Sequence, residues 1–208
     1  MLTARAIHPK KDDGLKVRIL AFIKAEARGG LFNRPAALLD DAMRSGQAIV
    51  IEEDGQIVAI ALMFDYTGVR CHYFELGTHL VARTHEGRGI QVALTRLQLV
   101  QACLDLEDLD VSPIFAVMEN NSVSKHNAET HVKFTNWHLP EELKALRESR
   151  GVRSSVEKLV YAANDDAVED AFSSLRSSLT NGVLRTHKGE LIQLVFPWLD
   201  LLLPAGPY

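Results

Sequence analysis

"ELGTHLVARTHEGRGIQVALTRL", residues 75 to 97, decides how this chain folds. An apolar, β-prone run ends near Ala82, Gly87 and Gly89 form a corner, and from Ile90 the apolar positions Leu94, Leu97 and Val100 recur at helical spacing. The order is strand, glycine turn, helix. A helix N-terminus carries unpaired backbone N–H groups and a partial positive charge, and glycines before it let anionic oxygens come close. The corner is therefore a candidate phosphate cradle, against the plainer reading of a strand-to-helix turn. It is not a Walker loop, which needs Gly-Lys-Ser/Thr, and Val92 stands where a dinucleotide fingerprint needs a third glycine.

Upstream, "AIVIEEDGQIVAIALMFDY" places two β-rich runs, 47 to 53 and 56 to 66, around Asp54-Gly55, the strongest short hairpin signal. "CHYFELGTHLVA" supplies the next strand. Before the hairpin come two helices. One spans 12 to 28, with Leu15, Ile19, Phe22 and Ile23 on one face and Gly29-Gly30 as its end. The other starts at Pro35, carries Leu38, Leu39 and Met43, and stops at Gly46. Downstream, "SPIFAVME" is a buried strand, followed by a short polar helix at 122 to 132, a charged helix at 140 to 149 and a strand at "VEKLVYAA". A helix at 165 to 178 and a strand near 190 to 196 complete the order, which predicts an α/β or mixed α+β chain around one sheet.

Composition narrows the function classes. The 208 residues, 47% hydrophobic and 24% charged, suit one globular domain. A net charge of -4 gives no basic surface for nucleic acid. Cys71 and Cys103 are too far apart for a metal knuckle or redox pair, so no metal is expected. No stretch is apolar enough to span a membrane and no signal core opens the chain, which predicts a cytoplasmic protein.

In order and spacing, the quoted stretch resembles the GNAT superfamily of acyl-CoA-dependent N-acetyltransferases. Their fourth strand reads E-x-x-x-x-x-V and is followed by a Q/R-x-x-G-x-G/A loop and a helix. Here Gly87 follows Glu75 by the family's twelve positions, and Asn and a helix follow "SPIFAVME". The resemblance covers about residues 3 to 162. It implies a mixed sheet flanked by helices and splayed between its fourth and fifth strands, forming an acyl-CoA-binding domain over 1–162. Residues 163–208 are left as a C-terminal helix-strand extension. Thr84 stands at the Q/R position, Lys133-Phe134 replaces Gly-Phe, and Glu129 falls where the family's tyrosine acid is common.

The implied activity is N-acetyl transfer from acetyl-CoA to a primary amine of a small molecule or peptide, by direct attack in a ternary complex. The alternatives are a noncatalytic acyl-CoA-binding or sensory module and transfer of a longer acyl chain. Leu80, Val81 and Ala82 would offer backbone groups to pantetheine, the Val81 N–H polarising the thioester. Gly87, Arg88, Gly89, Ile90 and Gln91 would hold the pyrophosphate, the Arg88 side chain included. Asn121 and Ser124 resemble the family's polar contacts to the cofactor, with helix capping as the plainer role.

Glu75 is the candidate base, its pKa expected to be raised by its site. Alternation places His79 on the same face as a second base. His126 and His131 are candidate acids. Arg28, Asn33 and Arg34 are candidate contacts for a carboxylate-bearing amine. The apolar tail from Glu190 is expected to pack on the domain or form a homodimer contact.

Overall fold

A computed structural model describes residues 1–7, 13–26, 34–45, 48–104, 109, 112–152 and 158–202. Arg28, Gly29, Gly30, Asn33 and Gly46, singled out above, lie outside these described residues. Among the described residues ten strands form one sheet. They are β1 (Leu2–Ala6), β2 (Ala48–Glu53), β3 (Gln56–Thr67), β4 (His72–Val81), β5 (Ile114–Glu119), β6 (Thr135–Asn136), β7 (Lys158–Ala162), β8 (Leu179–Thr180), β9 (Val183–Arg185) and β10 (Leu191–Val195). Their spatial order is β6-β7-β5-β4-β3-β2-β1-β10-β9-β8, antiparallel except at β4/β5 and β1/β10.

Among the described residues six α-helices flank the sheet: α1 (Asp13–Glu26), α2 (Ala36–Arg44), α3 (Ile90–Leu104), α4 (Ser122–His126), α5 (Glu141–Ser149) and α6 (Asp165–Ser178). Helices on both faces bury the sheet twice over, which is why β2 reads as an unbroken apolar run from Ala48 to Ile51. Leu15, Ile19, Leu39 and Leu143 cover the face that carries Tyr66 and Tyr73. Ile90, Leu94, Leu97 and Leu175 cover the face that carries Phe74 and Leu76.

Local chemistry accounts for the best-read elements. Asp54 and Gly55 both have positive φ, 49° and 75°, the two-residue turn whose twist matches a hairpin. Asn164 caps α6 by accepting a 2.9 Å hydrogen bond from Ala167 N–H, which starts the helix where the periodicity puts it. The first strand, β1, was not anticipated. "LTARA" has two alanines and one large apolar residue, and its strand state comes from pairing with β2 on one side and β10 on the other.

The tail extends the sheet. β10 lies parallel to β1, Leu194 opposite Ala4, and β9 and β8 follow antiparallel. Alternation buries Ile192 and Leu194 against the α3/α6 side and leaves Leu191 and Val195 41% and 55% exposed. Leu194→Ala should therefore cost about 2–5 kcal/mol in urea unfolding, whereas Val195→Ala should cost well under 1 kcal/mol. Equal losses would show that β10 does not pack this way.

Candidate functional site

β4 and β5 part company early. Their ladder pairs are Phe74↔Ile114 and Glu75↔Phe115, after which β4 runs on to Val81 while β5 stays paired with β7 on its other edge as far as Glu119. Ala82 N–H donates to Val58 O at 2.8 Å, so by alternation the Val81 N–H points away from β3 into the opening. The opening widens into a cleft of about 720 Å³. Leu80 and Val81 line one wall, Asn121 and Ser124 the other, and Gly87, Gly89, Ile90 and Gln91 close one end.

At that end Gly87 and Gly89 take φ of 75° and 78°, a left-handed conformation that glycine adopts without a Cβ penalty. The first α-helical bond of α3 runs from Ala93 N–H to Gly89 O at 3.2 Å, leaving the N–H groups of Ile90, Gln91 and Val92 unclaimed within the helix. Asn121 does take the capping role: its Oδ1 accepts from Ser124 N–H at 2.8 Å while the residue lines the cleft. Ala82 is buried outside the lining, with its N–H turned back to β3.

Three expectations are corrected. The Arg88 side chain is not turned to the cradle, since its Nη1 lies 3.4 Å from Glu190 and the pair holds it beside the tail. His79 is not on the face of Glu75. Leu62 pairs with Gly77 and Ile60 with Leu80, so two β4 residues oppose one on β3, and the bulge at Thr78 (φ 49°) inverts the alternation. His79 thus turns to the α3 side and lines the cleft, its Nε2 covered and without a hydrogen-bond partner. Burial lowers its pKa to about 4, with Gln98 opposing, so the imidazole is neutral near pH 7.

The third correction concerns Glu75, which is 0% exposed and outside the cleft lining. Arg147 Nε and Nη2 donate to it at 3.2 and 3.3 Å, Tyr66 Oη at 3.0 Å, and Arg34 clasps both oxygens. Burial alone would raise the pKa. The guanidiniums of Arg34 and Arg147 outweigh it, and the carboxyl is held below its ordinary value, opposite to the expected rise. Arg34, stacked 5.0 Å over Phe64, carries the charge from this cluster to the cleft wall. Gly77 makes room for that arrangement, because a Cβ there would lie 2.9 Å from the Phe64 ring.

His126 and His131 do not line the cleft. A π-helical turn at Asn127–His131 carries His131 onto His187 of the tail, rings stacked at 4.5 Å, with His126 edge-on to His131 at 5.0 Å. Because a Cβ on Gly89 would meet His187 at 2.9 Å, this histidine row sits at the glycine corner and not at the Val81 end. Glu129 bonds instead to Tyr161 Oη at 2.8 Å. Arg147, Tyr66, His187 and Lys188 were missed as site residues. Arg147 reads as solvent-facing on a charged helix, and only the turn-like "THKGE" hinted at a hairpin near 187.

Among the described residues no group of three His, Cys, Asp or Glu side chains is placed to hold a metal ion, and no helix is long and apolar enough to cross a membrane.

Glu75→Gln should cost about 3–5 kcal/mol, because it leaves two buried guanidiniums without their anion. A depressed carboxyl pKa contributes stability above its unfolded value of about 4.3, lost as pH falls through the folded value. The variant's deficit in thermal unfolding should thus be full at pH 7 and shrink in acid. A deficit that grows in acid would contradict the ion cluster.

No family model and no curated protein sequence matches the chain. Solved structures do. A putative GNAT-family acetyltransferase from Desulfovibrio desulfuricans superposes with a TM-score of 0.53 at 14% identity, covering 79% of this chain and 99% of that one. Arabidopsis thaliana Naa50, solved with a bisubstrate CoA–peptide analogue, gives 0.52 at 12% identity over 78% of this chain and 98% of that one. N-acetylglutamate synthase from Neisseria gonorrhoeae, complexed with coenzyme A and N-acetylglutamate, gives 0.52 at 16% identity, with 78% of this chain matching 34% of it. The chain has the mixed, splayed-sheet fold of the GNAT acetyltransferases.

Proposed function

We propose that the protein is an acyl-CoA N-acyltransferase that moves an acetyl group from acetyl-CoA to a primary amine of a small molecule or peptide. The observation that carries this reading is the continuous cleft from the unpaired β4 edge to the glycine corner of α3. Its two ends match the two ends of the cofactor. Pantetheine has amides that can pair with the free β4 edge as another strand would, and pyrophosphate is an anion suited to the α3 N-terminus. Val81 N–H would donate to the thioester carbonyl, stabilising the oxyanion as the amine attacks. Two of the similar folds, Naa50 and N-acetylglutamate synthase, were solved with a CoA conjugate or coenzyme A, which supports the same cofactor here.

The attacking amine must lose a proton, and the thiolate leaves with the electron pair of the broken C–S bond. His79 is assigned the proton transfer, directly or through water. It lines the cleft at the bulge and is neutral near pH 7, and its covered Nε2 makes no close hydrogen bond among the described residues. Glu75 becomes a positioning residue: it orients Arg34, which lines the cleft and suits a carboxylate on the acceptor. The second reading is a noncatalytic acyl-CoA-binding module. The locked Glu75 and the diversion of Glu129 to Tyr161 favour it. A homodimer built through the tail remains part of the first reading.

Free-thiol release from acetyl-CoA with a panel of amines separates the two. Turnover with at least one amine is expected. His79→Ala should lower kcat about 10²-fold or more while leaving the CoA-induced thermal shift intact. Gly87→Val, which forces a branched side chain into left-handed backbone, should abolish that shift. Binding without turnover for any amine would favour the noncatalytic reading.

A further inference from the structure

The turn between β9 and β10 belongs to the tail, yet it stands at the mouth of the cleft. His187 and Lys188 line the cleft together with Gly87, Gly89 and Ile90. We propose that this turn is a phosphate clamp, in which Lys188 and His187 close over the phosphate esters at the nucleotide end of acyl-CoA. The inference rests on the acyl-CoA reading and adds to it a recognition element contributed by the extension.

The turn is fastened to the corner it would serve. Thr186, buried, donates from Oγ1 to Arg88 O at 2.7 Å and accepts from the N–H groups of Lys188 and Glu190 at 3.3 and 3.1 Å. Thr186 N–H bonds to Glu190 O and Gly189 N–H to Thr186 O, both at 2.8 Å, which closes a tight loop. Glu190 holds Arg88 from below. His187 is wedged between the Gly89 backbone and the His131 ring, so its orientation is set before any ligand arrives. Gly89 is therefore needed twice, for its φ and for the approach of His187.

Charge points the same way. Arg88 is occupied by Glu190, Thr84 has no charge, and Arg83 leans toward Glu26, so the loop before α3 directs no cationic side chain of its own at the cradle. Lys188 is exposed and, among the described residues, pairs with no carboxylate. Exposed Glu86 at the rim is the opposing charge. His187 and His131 are both held below the usual histidine pKa, by burial first, then by a neighbouring histidine (His131 for His187, His126 for His131) and by the Lys188 and Arg96 cations. Burial is the larger cause; the smaller part set by the Lys188 and Arg96 cations is the part an anion would relieve. A phosphate drawn there meets the α3 N-terminus on one side and Lys188 on the other, a point charge on a mobile stem that can follow it.

Binding of CoA, dephospho-CoA and pantetheine to the full chain, by calorimetry in low and high salt, tests the clamp. For Lys188→Ala and His187→Ala, CoA should bind about tenfold more weakly or worse than to wild type. Pantetheine affinity should not move in either variant, the ligand-free melting temperature should not move in Lys188→Ala, and Lys188→Ala should flatten the salt dependence. A loss for CoA but not dephospho-CoA assigns the contact to the 3′-phosphate, and a loss for both assigns it to the pyrophosphate; either supports the clamp. Wild-type CoA affinity in both variants overturns the clamp and leaves the cofactor reading standing. A wild-type chain that binds none of the three overturns the cofactor reading and the clamp with it.

Discussion

Everything in the candidate site follows from the loss of pairing between β4 and β5 beyond Glu75. A central strand released on one edge leaves backbone donors and acceptors that the protein does not satisfy there, and buried backbone groups are rarely left so. The divergence exposes the Val81 edge, opens the cleft between β4 and the β5–α4 junction, and lets α3 aim its N-terminus at the same space. The bulge at Thr78 sits on this released segment. A threonine at positive φ costs of order 1–3 kcal/mol, and such strain collects where the backbone must be re-aimed. Here it turns His79 toward the cleft while Glu75, before it, keeps to the opposite face.

The buried ion cluster sits on that opposite face. Glu75 joins β4 to α5 through Arg147 and to the segment before α2 through Arg34, so one carboxylate ties three elements together, and Arg34 among them lines the cleft. A buried ion pair contributes little net stability when compared with apolar packing, but it is strict about partners. In this protein that strictness fixes the direction of Arg34, the residue proposed to meet a carboxylate on the acceptor. The same carboxylate cannot also collect protons easily, because two guanidiniums stabilise its ionised form.

How much was legible depended on whether the determinant was local. The Asp54-Gly55 hairpin, the Gly87/Gly89 corner and the limits of α6 are set by turn and cap chemistry within a few residues, and the sequence carried them. The cradle residues Gly87, Gly89, Ile90 and Gln91 came with the corner. The parity of His79 was not legible, because a single extra residue in β4 inverts every later side chain and nothing in "GTH" announces a bulge. β1 and the β8–β9 ribbon are too short to signal alone and exist through their neighbours. Arg147 meets Glu75, and His187 meets Gly89, across long stretches of chain, so these contacts appear only once the sheet and its extension have assembled.

The central claim is that the cleft takes CoA lengthwise, backbone to pantetheine at one end and amides to phosphate at the other. Amide hydrogen exchange with and without CoA reads both ends at once. The account predicts slowed exchange at residues 79–82 and 87–92, with the β2–β3 hairpin around Asp54-Gly55 unchanged. Saturating CoA that leaves exchange at both segments unaltered would contradict it.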